Sequence, residues 1–237
     1  MKELLASAKE NLTFILVSAL IIAGIIIVAV LAQKYICKSM PKRRGARYVA
    51  FVAMFGAIAA VLMLFEIPLF FAPSFYKIDL SEIPVLMCSF YLGPVAGVIC
   101  ELLKIIVKLL LKGTSTMFVG DFANFVVGCT FVLPASIIYH VKKSKKTAII
   151  GMASGTAVMT VFGSLFNAVY LLPKFANIFG MPLEAIIGMG TEVNRAINSV
   201  STLVLFAVVP FNLLKGIVVS VATFFLYKRL EPIFFRK

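Results

Sequence analysis

Between Leu12 and Ala32 the chain runs for 21 residues without an ionisable side chain. A helix over that run is about 31 Å long, enough to cross the hydrocarbon core of a bilayer. The run is not isolated. Apolar stretches return near Ala46–Leu64, Phe118–Val141, Thr147–Leu172 and Asn198–Tyr227, with shorter ones at Ile83–Leu92 and Val95–Leu111. Hydrophobic residues make up 62% of the 237 and charged residues only 14%, whereas a soluble domain has roughly half and roughly a quarter. Such a chain cannot clothe itself in polar groups, so lipid must be much of its solvent. The expectation is an all-α polytopic membrane protein: a six-helix membrane domain over 46–237, preceded by one extra transmembrane helix and a basic linker over 1–45.

The net charge of +13 has a topological explanation. Lysine and arginine gather where apolar runs end, at Lys34, Lys38, Lys42, Arg43, Arg44 and Arg47, at Lys142, Lys143, Lys145 and Lys146, and at Lys228, Arg229, Arg236 and Lys237. Basic residues in that pattern mark cytoplasmic loops. They predict an N-terminus outside and a C-terminus in the cytoplasm, and make nucleic acid an improbable partner. The first run lacks the net-positive start of a secretory signal, since Lys2 and Lys9 are balanced by Glu3 and Glu10, and it reads as a retained helix. Cys37, Cys88, Cys100 and Cys129 form no C-x-x-C pair and read as small core residues, with Cys37 near a membrane edge where acylation is the other reading.

Local signals divide the rest. Glu66-Ile67-Pro68 ends the second run and opens an aromatic loop, Leu69 to Tyr76. Gly93-Pro94 breaks the third run, which is short for a crossing. Pro173 is expected to end the sixth helix, leaving an outer loop over 173–197 with a short amphipathic helix near Leu183–Ile187. No half of the chain repeats the other.

Polar side chains at bilayer depth are costly and point to function. Asn212 and Lys215, three apart, share a face just after Pro210. An amide beside a cation suits a neutral polar ligand; the competing reading is hydrogen bonding between helices. Asn167 poses the same choice. Glu101, Lys104 and Lys108 share one face and predict an internal ion pair. Asp79, Ser81 and Glu82 follow the aromatic loop, with Ser81 expected as a helix cap, and Asp121 and Asn124 stand at the mouth of the fifth helix. Ala46, Ala50, Ala53 and Ala57, with Gly56 and Ala60 beside them, give the second helix a smooth stripe for close helix approach. The chain carries no phosphate-binding loop, no H-E-x-x-H and no G-x-S-x-G, so it is not expected to be an enzyme.

Several segments resemble the substrate-binding S components of energy-coupling factor (ECF) vitamin transporters. They are Phe75-Tyr76-Lys77-Ile78-Asp79-Leu80-Ser81-Glu82-Ile83-Pro84, Leu92-Gly93-Pro94-Val95-Ala96-Gly97 and Glu101-Leu102-Leu103-Lys104. Lys112-Gly113-Thr114-Ser115-Thr116, Gly120-Asp121-Phe122-Ala123-Asn124-Phe125 and Pro210-Phe211-Asn212-Leu213-Leu214-Lys215-Gly216 resemble the riboflavin-specific branch of that family. The likeness runs from about residue 46 to the C-terminus. It implies a six-helix S component in a bacterial cell membrane that takes riboflavin from outside, needs no cofactor, and docks on a membrane scaffold subunit carrying two cytoplasmic ATPases. It assigns ligand contacts to Asn167, Asn212 and Lys215, to the lid stretch Lys77, Ile78 and Asp79, and to Asp121 and Asn124. It assigns scaffold contact to Ala53 and Ala57. Two departures stand out: the helix at 12–32 lies outside the usual six, and Asp121 occupies a position where glutamate fits the pattern better.

The flavin reading agrees with elementary chemistry. A pyrimidine edge alternates acceptors with an N–H donor, which asparagine amides match, and the ring system wants apolar walls. A single cation at Lys215 favours riboflavin over its phosphate. Two alternatives stay open at this level: an S component for a different vitamin, and a self-sufficient gradient-driven carrier using Glu101 and Lys104 as its coupling pair.

Overall fold

The computed structural model describes residues 2–37 and 45–234. The basic residues Lys38, Lys42, Arg43, Arg44, Arg236 and Lys237 lie outside the described residues. The chain is almost wholly helical: α1 (Lys2–Tyr35), α2 (Ala46–Leu64), α3 (Glu82–Leu92), α4 (Pro94–Lys112), α5 (Val119–Val141), α6 (Lys145–Phe166), α7 (Leu172–Phe179), α8 (Leu183–Val193), α9 (Val200–Leu203) and α10 (Val209–Phe234). A two-stranded antiparallel ribbon, β1 (Ile67–Pro68) and β2 (Lys77–Ile78), pairs Ile67 with Ile78 and closes the aromatic loop. Among the described residues five segments are long and apolar enough to span a membrane: Leu16–Tyr35, Ala46–Leu64, Val119–Val141, Lys145–Phe179 and Val200–Tyr227. Their outward faces carry Val49, Ile58, Val61, Ile150, Val161, Leu165, Val221 and Phe225 exposed, as a lipid-facing belt requires.

α3 and α4 fill the interior. All eleven residues of α3 are buried, so it meets protein on every side and needs no bilayer-length span. Gly93, at φ +106, turns the chain where a side chain would be strained, and Pro94 starts α4 at the position where its missing N–H costs nothing. α4 is amphipathic in the inverted sense. Ile99, Ile106 and Leu110 face outward, while Glu101, Lys104 and Lys108 are buried.

Two helices continue past prolines. The helix expected to stop at Pro173 instead passes from α6 through a π-helical segment, Asn167–Leu171, into α7, and ends at Gly180, φ +61. The Leu172 N–H donates to the Asn167 carbonyl, one residue farther back than in an α-helix. That wider turn makes room for a proline ring, which in α-register collides with the carbonyl four residues back. The same device recurs between α9 and α10, where Val204–Val208 is π-helical, Val209 donates to Val204, and Pro210 follows. The anticipated outer loop is largely ordered as α7 and an eleven-residue α8. Ser81 holds the N-cap position of α3, but its side chain makes no cap bond. Its hydroxyl and N–H both donate to Asp79 Oδ1 instead, the N–H at 2.9 Å. The hydroxyl is turned toward the nearby carboxylate as a donor, and its oxygen accepts no N–H from the helix end.

α1 lies on the α4–α5 face. Phe14, Ile21, Ile22, Ile25, Ile26 and Ala29 repeat at helical spacing and pack with Val98, Ile105, Phe122, Val126 and Leu133. Gln33 Oε1 accepts the Val95 N–H at 3.2 Å and so caps the start of α4. Cys37 is buried.

Candidate functional site

At the end of the bundle where α2 and α4 finish and α5 begins, a cavity of about 510 Å³ opens. That volume falls within the roughly 300–1,000 Å³ typical of small-molecule sites. Its roof is a layer with its own apolar core, in which Ala72 and Tyr76 of the aromatic loop pack with Leu172, Ala176, Ile186 and Leu203. Its walls are aromatic: Phe75, Tyr76, Phe175, Phe179 and Phe211 all line it. The Tyr76 ring lies 4.6 Å from Phe75 and 5.4 Å from Phe211, centroid to centroid.

Polar groups converge from four elements. Asn167, at the first position of its π-segment, receives the Tyr76 hydroxyl on Oδ1 at 2.8 Å and donates from Nδ2 to the Gly163 carbonyl at 2.8 Å. Its amide is thereby oriented, with one N–H and one lone pair still available. Asn212 is buried and lines the cavity, and its Nδ2 has no hydrogen-bond partner. A buried amide left unpaired costs about 1–3 kcal/mol, so this is where an acceptor on a ligand is wanted. Gly163 gives Asn212 its space, since a Cβ there would stand 3.1 Å from Nδ2. One turn along α10, Lys215 Nζ reaches Asp79 Oδ2 at 3.1 Å and Glu82 Oε1 at 3.7 Å.

Nearer the mouth, Lys108 Nζ pairs with Asp121 Oδ1 at 2.6 Å and donates to the Gly113 carbonyl at 3.2 Å. Asn124 Nδ2 donates to the Gly120 carbonyl at 3.2 Å, the preceding turn of α5. Half-exposed Lys77 and Lys112 share Glu66 Oε2 at 3.2 and 3.0 Å, which ties the ribbon to the end of α4. Burial pushes the Glu66 carboxyl up, but bonds from Lys112 and Lys77 outweigh it and hold the group below its ordinary range.

The structure thus brings Asn167, Asn212, Lys215, Lys77, Asp79, Asp121 and Asn124 around one cavity. Ile78 is buried and does not line it; on a strand its side chain points opposite to those of Lys77 and Asp79. Ala53 and Ala57 are far from it in role. With Ala46 and Ala50 they form an exposed stripe on α2, while Gly56 and Ala60 turn inward. A Cβ on Gly56 would stand 2.7 Å from Leu103 Cδ2 of α4, so that half of the small-residue pattern serves packing within the chain. Tyr76, Phe211, Lys108 and Glu66 belong to the site yet escaped selection from sequence. Lys108 alone carried a signal, its helical spacing from Lys104.

Residues 47–227 match the family model described as ECF transporter, substrate-specific component. The riboflavin transporter RibU of Staphylococcus aureus (strain TCH60) is 36% identical over 179 residues, 76% of this chain and 87% of that protein. The riboflavin transporter FmnP of Bacillus subtilis (strain 168) is 31% identical over 182 residues, 76% of this chain and 90% of the relative. A solved structure of the S component of a bacterial ECF transporter superposes with a TM-score of 0.62 at 35% identity, over 79% of this chain and 96% of that one. The part of the chain outside the family match includes all of α1. Membership makes this a multi-pass membrane transport subunit and not an enzyme: the chain belongs to the substrate-specific components of ECF transporters.

Proposed function

We propose that the chain binds riboflavin in the cavity beneath the aromatic loop and presents it for import by an ECF complex. The observation that carries this reading is the pairing of an unsatisfied buried amide, Asn212 Nδ2, and a cation, Lys215, with aromatic walls in one cavity of ligand size. A flavin answers each feature, with ring acceptors for the donors and flat apolar faces for Phe75, Tyr76 and Phe211. The names of the curated relatives support the same ligand.

In this reading Asn167, Asn212 and Lys215 hold the ring. Asp79 and Lys77 belong to the lid, and Asp121 and Asn124 border the mouth. The cavity end faces outward and the C-terminus lies in the cytoplasm, an orientation that the basic clusters support. Residues 46–237 form the substrate-binding domain and 1–45 an added helix with its linker. The energy comes from partners, a membrane scaffold with two cytoplasmic ATPases, and the scaffold contacts Ala53 and Ala57, whose face on α2 is exposed and lets another helix approach closely.

The test is a titration of the purified chain in mild detergent, read as quenching of flavin fluorescence. Saturable quenching is expected. Asn212→Ala should weaken it about 3- to 10-fold and Lys215→Ala about 10- to 100-fold, the worth of a neutral and a charged hydrogen bond. Absence of quenching by the unaltered chain overturns the ligand assignment.

A further inference from the structure

Below the cavity lies a cluster of charges that no ligand contact explains. Lys104 Nζ donates to Glu82 Oε1 at 2.9 Å and forms an ion pair with Glu101 Oε1 at 2.5 Å, and all three side chains are at most 1% exposed. None of the three lines the cavity. Space for the Glu101 carboxylate is cut into α5 at Gly128, where a Cβ would stand 2.8 Å from its Cδ and 3.1 Å from Glu82 Oε1. Buried charges of this kind are expensive in a membrane protein, and a hydrophobic core would hold α3, α4 and α5 together as well.

The cluster nevertheless meets the cavity at one atom. Lys215 sits between two acceptors, Asp79 Oδ2 on the lid side at 3.1 Å and Glu82 Oε1 on the inner side at 3.7 Å. The position of its ammonium is therefore a balance of two attractions. The inner one is itself set by Lys104, which competes for the same Glu82 oxygen.

We propose that Glu82, with Lys104 and Glu101 behind it, is the positioning set that holds the Lys215 ammonium at its place in the cavity. Resting on the ligand reading above, the role is indirect: Glu82 draws Lys215 inward against Asp79, Lys104 limits that pull, and Glu101 fixes Lys104. Removing the Glu82 charge lets Lys215 move toward Asp79 and the lid. Removing the Lys104 charge lets Glu82 draw it deeper. Either change misplaces a cation that the ligand meets, although neither residue lines the cavity.

The experiment titrates riboflavin against the full-length protein and the variants Glu82→Gln, Lys104→Arg and Tyr139→Phe. Thermal midpoint and the visible absorption maximum of the bound flavin are recorded for each. Tyr139 bonds Tyr227 at 2.5 Å at the opposite end of the bundle, so its variant lowers stability without touching the cluster. Glu82→Gln is expected to raise Kd by about tenfold or more, as loss of a charged hydrogen bond does, and to displace the absorption maximum. Lys104→Arg keeps the charge and should leave Kd and the absorption maximum as in the parent. Tyr139→Phe should lower the midpoint at unchanged Kd. If Glu82→Gln lowers only the midpoint, with Kd and absorption as in the parent, the cluster is packing and the proposal is overturned. If Glu82→Gln does not fold, Glu82→Asp decides, since it keeps the charge and withdraws it from Lys215: a raised Kd with a shifted maximum supports the positioning role, and an unchanged Kd with an unshifted maximum overturns it. No binding by the parent chain overturns the ligand reading, and this role with it.

Discussion

At the scale of single residues, two glycines make room for a charge and an amide. Gly128 faces the Glu101 carboxylate, and Gly163 faces the Asn212 amide. Gly128→Ala forces a methyl group against an ion pair that cannot retreat into water. Overpacking alone costs about 1–3 kcal/mol, and a disturbed buried pair adds to it. We expect the thermal midpoint to fall by several degrees, checked by melting in detergent. Asn212 and Lys215 were legible in the sequence because an amide and a cation three apart in an apolar helix have few innocent explanations. Tyr76 was not: it is one aromatic in a loop of them, in a chain with 22 Phe and seven Tyr. Its hydroxyl finds Asn167 across 91 positions of sequence, and no local pattern reports such a partner. The pairing of Lys104 with Glu101 could be read from spacing, while its second partner, Glu82, arrives from another helix.

At the scale of elements, boundaries marked by charge, glycine or proline were readable. α2 and α3 begin and end within a residue of expectation, and Gly93-Pro94 separates α3 from α4. The passage through Pro173 was not readable, because a shift of one hydrogen-bond register leaves composition unchanged. The two π-segments nevertheless have a consequence for the site, since the first contains Asn167 and Leu171 of the cavity lining and the second comes just before Phe211, Asn212 and Lys215. Deleting Val169, which is 79% exposed, should return Asn167–Leu171 to α-register and turn one side of the helix about 100° against the other. Riboflavin binding should then weaken at least about tenfold, whereas Val169→Ala should leave it unchanged; fluorescence titration distinguishes the two. α1 is likewise more than an apolar run, since its Gln33 caps α4. Interhelical polar bonds of this type contribute about 0.6 kcal/mol.

At the scale of the whole molecule, α1 and the family-matched bundle divide stability from binding. α1 covers an apolar face of α4 and α5, and none of its described side chains lines the cavity. Removing residues 1–45 should lower the thermal midpoint and leave the riboflavin Kd nearly unchanged, measured on the same sample by melting and by titration. Long apolar helices announced the membrane from sequence alone, yet the two innermost helices, α3 and α4, are not among the five spans. That has a consequence for biosynthesis. α3 is about 16 Å long, half the hydrocarbon core, and each charged residue of α4 costs about 2.5–3.5 kcal/mol at the centre of a lone inserting helix. Each is disfavoured as a lone inserting helix. Entry as a hairpin, with Lys104 between Glu82 and Glu101, lowers that cost. Within the buried cluster, Asp79, Glu82 and Glu101 face two cations, Lys104 of the hairpin and Lys215, which is made more than a hundred residues later. The ribosome therefore delivers the second cation of that cluster only with the last helix.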